Sequence, residues 1–290
     1  MSGPLLRRLD NVICQDSMLS SSSNAIPRAN MDIREVLELY KRGEIEAAKA
    51  ERLLRLDFIE KVGDHTVFDH SREARKGIPE VIFGEGKTPQ QVVEIAEKAL
   101  EDKEALLISR ASTEQYQMLV KRLGKKGVHL YEKSRLIVVD RRRIPKLQGK
   151  IGILSGGTSD MNVAEEVRLV AETMGCEVLI AYDVGIAGMH RFMEPLLQML
   201  KGDVDVLVVV AGMEGALATV ISSLADVPVI GVPTSVGYGI GGKGEAALLG
   251  MLQSCSPGLV VVNIDNAIAA GTTAALISRR CHELRGKFKD

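Results

Sequence analysis

From Lys150 onward the chain alternates between short, unbroken apolar runs and helical stretches, and this alternation limits the fold more than any other feature. The runs at 151–154, 178–181, 206–210, 227–230 and 259–264 are each followed by helical periodicity, near 163–174, 190–200, 215–224, 245–252 and 267–280. A strand that is apolar at every position has no face to offer water, so both of its faces must be covered. Strands joined through helices are parallel, and their crossovers are right-handed. The expected class is α/β, a parallel sheet with helices on both faces and a flavodoxin-like strand order. Ligands of such sheets bind at the carboxyl ends of the strands.

The first half of the chain reads differently. Residues 1–30 contain a run of four serines, Ser20 to Ser23, and no apolar periodicity. They are expected to be an extension outside the fold. Residues 31–146 are expected to form a small α+β domain, and 147–290 the catalytic α/β domain. Val36, Leu37, Leu39 and Tyr40 predict one helix, and Ile45, Ala48, Leu53 and Leu56 a second, with Gly43 between them. Short strands are expected at 66–68, 81–83, 106–109 and 136–139, and helices at 89–100 and 114–123. Thr88 is the expected cap of the first of these helices, with Pro89 at its first position. The basic run Arg141-Arg142-Arg143 reads as a solvated linker.

Charge and composition exclude several partners. There are 37 basic and 38 acidic residues, so no global field draws the chain to nucleic acid or to anionic lipid. Aromatic residues are 3% and tryptophan is absent, which argues against base-stacking platforms. No apolar run approaches the ~18 residues of a membrane span. The four cysteines show no CxxC pairing and are read as free thiols of a reducing cytoplasm. The five histidines are scattered and form no metal motif, so any metal is left unassigned.

The chemistry is expected in the loops that leave the strands. The first, Ser155-Gly156-Gly157-Thr158-Ser159-Asp160, passes from a strand into a helix. Its glycines allow close backbone approach, its hydroxyls can donate to phosphate, and helix-start amides attract anions. The same loop also reads as an ordinary capped turn. The second runs from Asp183 through Gly185 and Gly188 to His190 and Arg191. The third places Glu214 between Gly212 and Gly215, where an acid can complement a helix dipole. The fourth carries Thr234, Ser235, Gly237, Tyr238 and Gly239 and reaches Lys243-Gly244-Glu245. Its glycine content fits a cradle over a phosphate-bearing ligand. The spacing is neither GxGxxG nor a Walker loop. Cys255 lies in the polar loop Ser254-Cys255-Ser256-Pro257-Gly258, between a helix and the next strand. That position belongs to the opposite sheet edge, and on residues alone it reads as an incidental surface thiol.

Ser155 to Asp160, His190-Arg191, Val229-Ile230-Gly231-Val232-Pro233 and Asn263 with Ala274-Ala275-Leu276 resemble the purine-pathway carboxyaminoimidazole ribonucleotide mutases, which are PurE-like. The chain departs from them at Gly188-Met189, at Phe192-Met193 and at Gly212 to Leu217. With Asp69, Arg72, Arg75-Lys76-Gly77-Ile78-Pro79-Glu80-Val81, Asp183-Val184-Gly185, Pro233 to Gly239 and Asn263-Ile264-Asp265-Asn266, the chain from Met31 onward resembles the LarB family of nickel-pincer cofactor synthesis.

The resemblance implies a carboxylase/hydrolase acting on nicotinic acid adenine dinucleotide, with carbon dioxide or bicarbonate as co-substrate, a magnesium ion assisting, and a homo-octamer as the assembly. It makes Cys255 the nucleophile and predicts that assembly brings it to the glycine loops. Asp160, Asp183, Glu214 and His190 become candidates for proton transfer, Asp160 first. Ser155, Gly156, Gly157, Thr158, Ser159, Gly185, Gly188, Arg191, Thr234, Ser235, Gly237, Tyr238 and Gly239 become substrate contacts, with Arg72, Arg75 and Lys87 reaching for carboxylate or phosphate. A purine-pathway mutase and a non-enzymatic nucleotide-binding regulator are the alternatives.

Overall fold

The structure is a computed structural model and describes residues 33–50, 59–62, 66–69, 78–101, 103–142 and 149–287. The chain divides into two compact units, Met1–Glu51 and Arg52–Asp290. In the first, α1 (Ile33–Lys41) ends at Gly43, whose φ of 72° lies in the left-handed region that closes helices. The expected second helix begins at Ala47, and its continuation lies outside the described residues.

Among the described residues the second unit contains three sheets. A hairpin pairs β1 (Ile59–Val62) with β2 (Thr66–Asp69). A mixed four-stranded sheet has the order β3-β4-β6-β5, built from β3 (Glu80–Phe83), β4 (Ala105–Ser109), β5 (Val128–Tyr131) and β6 (Leu136–Asp140). Helices α2 (Pro89–Leu100) and α3 (Thr113–Leu123) accompany it. The third sheet is fully parallel, with the order β11-β10-β9-β7-β8. Its strands are β7 (Lys150–Ser155), β8 (Glu177–Ala181), β9 (Val206–Ala211), β10 (Val229–Pro233) and β11 (Leu259–Val261). Taken along the chain from β7, that order is the flavodoxin-like 2-1-3-4-5.

The apolar runs are explained by what lies on each side. Along β9, Val206, Val208 and Val210 pack with α4 (Met161–Thr173) and α8 (Ala267–Lys287). The alternate residues Leu207, Val209 and Ala211 pack with α5 (His190–Lys201), α6 (Ala216–Leu224) and Met251 of α7 (Glu245–Leu252). A side-chain period of two with both faces covered requires an apolar residue at every step. α8 lies close on α4: a Cβ on Gly271 would stand 2.8 Å from Val170 Cβ.

The four-stranded sheet is also covered twice. Leu106, Ile108, Ile137 and Val139 meet α2 and α3, while Leu107, Leu136 and Val138 meet Leu169 and Val170 of α4. The outer face of α4 thus serves as the floor of the N-terminal sheet. Arg142, expected in a solvated linker, is instead half-buried: it pairs with Asp140 and donates to the Thr173 carbonyl at 2.7 Å. A charged donor set against the carboxyl end of α4 complements the helix dipole there. No helix among the described residues is long and apolar enough to cross a membrane.

Candidate active site

At the carboxyl edge of the parallel sheet the loops are laced together through their backbones. Val184 N–H donates to Ser155 O at 2.9 Å, and Gly156 N–H to Val210 O at 2.8 Å. Thr234 N–H donates to Ala211 O at 3.1 Å, Met213 N–H to Val236 O at 3.2 Å, and Asp265 N–H to Pro233 O at 2.9 Å. All five strand exits are therefore coupled.

Asp160 is the central side chain of this network. It closes a short 3-10 turn, Thr158–Asp160, that precedes α4. It is 5% exposed and accepts from Gly157 N–H at 2.9 Å and from the Thr234 hydroxyl at 2.6 Å. One carboxylate thereby folds its own loop back and clamps it to the end of β10. Thr234 and Ser155 are fully buried, and the Ser155 hydroxyl donates to Gly157 O at 3.2 Å. In this arrangement these three hold the shape of the loops.

The glycines fall into two groups. A Cβ at Gly185 would stand 2.8 Å from Gly156 O, at Gly212 2.2 Å from Val236 O, and at Gly244 2.8 Å from Thr234 O. These three are needed because one loop backbone lies against another. By contrast, a Cβ at Gly157 or Gly237 would meet nothing closer than 3.6 Å, and at Gly242 nothing within 4 Å. The chain itself makes no steric demand for glycine at these positions, which leaves room for a ligand to approach, although the N–H and carbonyl of Gly157 are already bonded to Asp160 and Ser155.

Besides α4, which continues from the 3-10 turn at Asp160 without a side-chain cap, three helix starts on this edge carry none: Met189 before α5, Gly215 before α6 and Gly244 before α7. α8 has one, Asn266 accepting from Ala269 N–H at 3.0 Å. Ala218 N–H of α6 and Ala246 N–H of α7 already donate to Gly215 O at 3.2 Å and Gly241 O at 3.3 Å. A helix start without a side-chain cap is where remaining amides can meet an anion. Asp183, Met213, Lys243 and Asp265 all hold left-handed backbone in these loops, with φ between 53° and 65°. Such conformations cost of order 1 kcal/mol or more and survive where the surroundings impose them. Asp183 pairs with Arg191 at 3.3 Å. His190 opens α5 and is exposed, as are Glu214, Ser235 and Tyr238.

Not every expected residue joins this edge. Cys255 is exposed, in the loop between α7 and β11. Its neighbours bind the far end of α6: the Ser222 hydroxyl donates to Pro257 O at 3.0 Å, and the hydroxyls of Ser256 and Ser222 are 3.1 Å apart. Gly258 O accepts from Val229 N–H at 3.0 Å, where β10 begins. Within one chain, Cys255 therefore lies at the amino edge, across the sheet from Asp160. Lys87 donates its ammonium to Phe83 O at 2.9 Å. Arg72 and Arg75 lie outside the described residues. Among the described residues no three His, Cys, Asp or Glu side chains are grouped to hold a metal.

One participant was not legible as such. Asp265 accepts from Ser235 N–H at 2.9 Å and so pins the fourth loop. In the sequence it stands only within the run Asn263-Ile264-Asp265-Asn266 that carries the family resemblance, with no role attached to it.

Comparison with known proteins adds to this geometry. Residues 59–142 match the LarB/PurE-like N-terminal domain, and residues 150–290 match AIR carboxylase. An uncharacterized protein of Methanocaldococcus jannaschii is 40% identical over 258 residues, covering 87% of this chain and 99% of that protein. An N5-carboxyaminoimidazole ribonucleotide mutase of the same organism is 31% identical over 129 residues, covering 44% of this chain and 75% of the mutase. One from Thermotoga maritima is 31% identical over 149 residues, covering 49% of this chain and 82% of the mutase. The mutases reach less than half of the chain, whereas the archaeal relative matches nearly all of it. With an N-terminal domain of the LarB kind joined to an AIR carboxylase domain, the chain belongs to the LarB family, whose enzymes are of the PurE/LarB kind.

Proposed function

We propose that the protein carboxylates the pyridinium ring of nicotinic acid adenine dinucleotide and hydrolyses its phosphoanhydride, releasing AMP and a pyridinium biscarboxylic acid mononucleotide for nickel-pincer cofactor synthesis. The observation that carries this reading is the carboxyl edge itself. Loops clamped by Asp160 and Thr234 bring three helix starts without side-chain caps, and glycines with steric room around them, to one edge of the sheet. A dinucleotide with two linked phosphates suits that edge.

The ring chemistry needs a nucleophile, because a pyridinium is electron-poor and its carbons do not attack carbon dioxide. The Cys255 thiolate adds to a ring carbon, and the ring electrons move onto nitrogen to give a neutral dienamine. The carbon beta to nitrogen then attacks carbon dioxide, forming the new C–C bond. A base removes the ring proton at that carbon, and the electron pair expels the thiolate and restores aromaticity. Asp183, Glu214 and His190, with exposed side chains on the loops, are the bases best placed to receive that proton. Asp160 is assigned to positioning, since both of its oxygens are already engaged. Water then cleaves the phosphoanhydride. Magnesium, expected to assist, would neutralise phosphate charge during this hydrolysis. Among the described residues no three His, Cys, Asp or Glu side chains are grouped to hold it, and no protein step depends on it.

This reading requires Cys255 of one copy to reach the loops of another. Support comes from the surface around it. α7 is apolar on all sides, and its Leu249 and Leu252 are 61% and 60% exposed, beside edge-strand Val260 at 55%. A helix apolar all round is one that an assembly buries.

The test combines nicotinic acid adenine dinucleotide, bicarbonate and magnesium with the wild type, with Cys255→Ala, and with a mixture of Cys255→Ala and Asp183→Asn. AMP and the dicarboxylated mononucleotide are expected from the wild type, not from Cys255→Ala, and again from the mixture if sites are shared between copies. A wild type that leaves the dinucleotide intact sinks the reading. In that case N5-carboxyaminoimidazole ribonucleotide is the substrate to test next, given the named mutases among the relatives.

A further inference from the structure

Two guanidiniums and a buried carboxyl gather where the N-terminal sheet meets α4, and the chemistry above uses none of them. Arg110 directly follows β4, and Arg135 directly precedes β6. Ala111 N–H donates to Arg135 O at 2.7 Å and the Arg135 guanidinium to Arg110 O at 3.3 Å, so the two turns are tied together. Both residues hold left-handed backbone, φ 52° and 50°. Glu166, on the face of α4 beneath this sheet, is 5% exposed. Among the described residues its carboxyl makes no hydrogen bond and no ion pair within 4 Å, and the same holds for the Arg110 guanidinium. Besides the Arg110 carbonyl, the Arg135 guanidinium reaches Glu85, at 3.4 Å between exposed groups, a pairing worth little.

Arg110, Arg135 and Asp265 all act electrostatically on Glu166. Asp265 pins the fourth loop of the active site, and Ile268, three residues further on at the start of α8, packs against Leu107, Leu136 and Val138 of the same sheet and Leu169 and Val170 of α4, so the cluster and that loop share this junction. Burial pushes the Glu166 carboxyl up to about 7, which leaves it only partly ionised at neutral pH. A guanidinium beside such a partner keeps its forked donors for a stronger acceptor. Carboxylate and phosphate are the acceptors whose geometry matches the fork.

We infer that Arg110 and Arg135 form an oxyanion seat through which the N-terminal domain grips a carboxylate or phosphate of the substrate, while the C-terminal loops hold the rest. This rests on the nucleotide reading above, but fragments of the nucleotide test it separately. Nicotinate and pyrophosphate are titrated calorimetrically into the full chain, as wild type, Arg110→Gln, Arg135→Gln and Arg110→Lys, with melting midpoints recorded in parallel. One of the two fragments is expected to bind Arg110→Gln and Arg135→Gln about tenfold or more weakly than wild type. Arg110→Lys should recover part of the loss, and the melting midpoints should stay within the wild-type range. The fragment that loses affinity names the group the seat holds. Equal binding of both fragments to wild type and variants overturns the seat, as does a wild type that binds neither at millimolar concentration. Neither result depends on whether the intact dinucleotide turns over.

Discussion

The two α/β regions of this chain begin their helices in opposite ways. In the N-terminal domain, α2 and α3 both start with a full capping box. Thr88 accepts from Gln91 N–H while Gln91 accepts from Thr88 N–H, and Ser112 and Gln115 repeat the pattern. Gln115 goes further, donating to Gly84 O and Lys87 O at 2.8 and 2.9 Å, and so stitches two loops. In the C-terminal domain, α5, α6 and α7 start on Met189, Gly215 and Gly244 with no side chain to spare. A cap satisfies the first amides internally and stabilises the helix by about 1 kcal/mol. An uncapped start forgoes that stability and leaves its amides for an anion. The N-terminal domain closes both of these starts with side chains, whereas the C-terminal domain caps α8 through Asn266 and leaves the three starts beside its glycine loops without a side-chain cap.

The comparison can be broken or sharpened by substitution. The largest effect is expected from Gly212→Ala. Its Cβ would stand 2.2 Å from Val236 O, backbone that cannot move aside cheaply, so denaturant unfolding should show a loss of roughly 3 kcal/mol. Gly242→Ala, with nothing within 4 Å, should leave stability within about 0.5 kcal/mol. If it weakens nucleotide binding all the same, that glycine serves the ligand. If the two variants unfold alike, the division of the glycines fails.

Asp160→Ala should cost about 3 kcal/mol, because it strands the buried Thr234 hydroxyl and the Gly157 amide. Turnover should fall with it, and Asp160→Asn should recover stability in part. Full activity in Asp160→Ala would refute its positioning role.

Glu166 supplies the pH test. Its carboxyl is raised to about 7 by burial, opposed by Arg110 and Arg135 and reinforced by Asp265. The folded state therefore holds a proton that the unfolded state releases. This stability is fully present below about pH 4.5 and is lost as pH rises through 7. Glu166→Gln should remove the dependence and raise stability at pH 8 by up to roughly 3 kcal/mol, with no gain at pH 4. Thermal melts across that range that stay parallel would contradict it.

The smallest expected effect lies at the caps. Thr88→Ala and Ser112→Ala should each lose about 1 kcal/mol and leave nucleotide affinity unchanged. A drop in affinity from either would mean that the N-terminal helix starts also serve the ligand.

Much of the fold was legible because burial on both faces leaves a direct record in the residues. All five parallel strands and their helices stand where continuous apolar runs and helical periods predict them, though β11 stops at Val261, short of the expected 264. α2 occupies the predicted 89–100 because Thr88, Pro89 and Gln91 specify its start locally. β5 (Val128–Tyr131) was missed: His129 is exposed and the strand is short, so its apolar signal is weak. The site was legible as a set of loops, but the roles within it were not. The residues cannot say that Gly185 is filled by Gly156 while Gly157 is open, because that depends on which backbone lies opposite.

The sequence alone determined the class of the domains, the run of strands and helices, and the identity of the glycine loops, since local periodicity and capping are properties of neighbours in the chain. It also placed Cys255 on the far edge, because a loop from helix to strand in a parallel sheet can lie nowhere else. Only the tertiary structure decided that Asp160 joins Thr234 across 74 positions, that Asp265 pins Ser235, and that Glu166 is buried on the helix that packs against the N-terminal sheet. These depend on contacts between distant segments, and such contacts are chosen by packing, which no local pattern encodes.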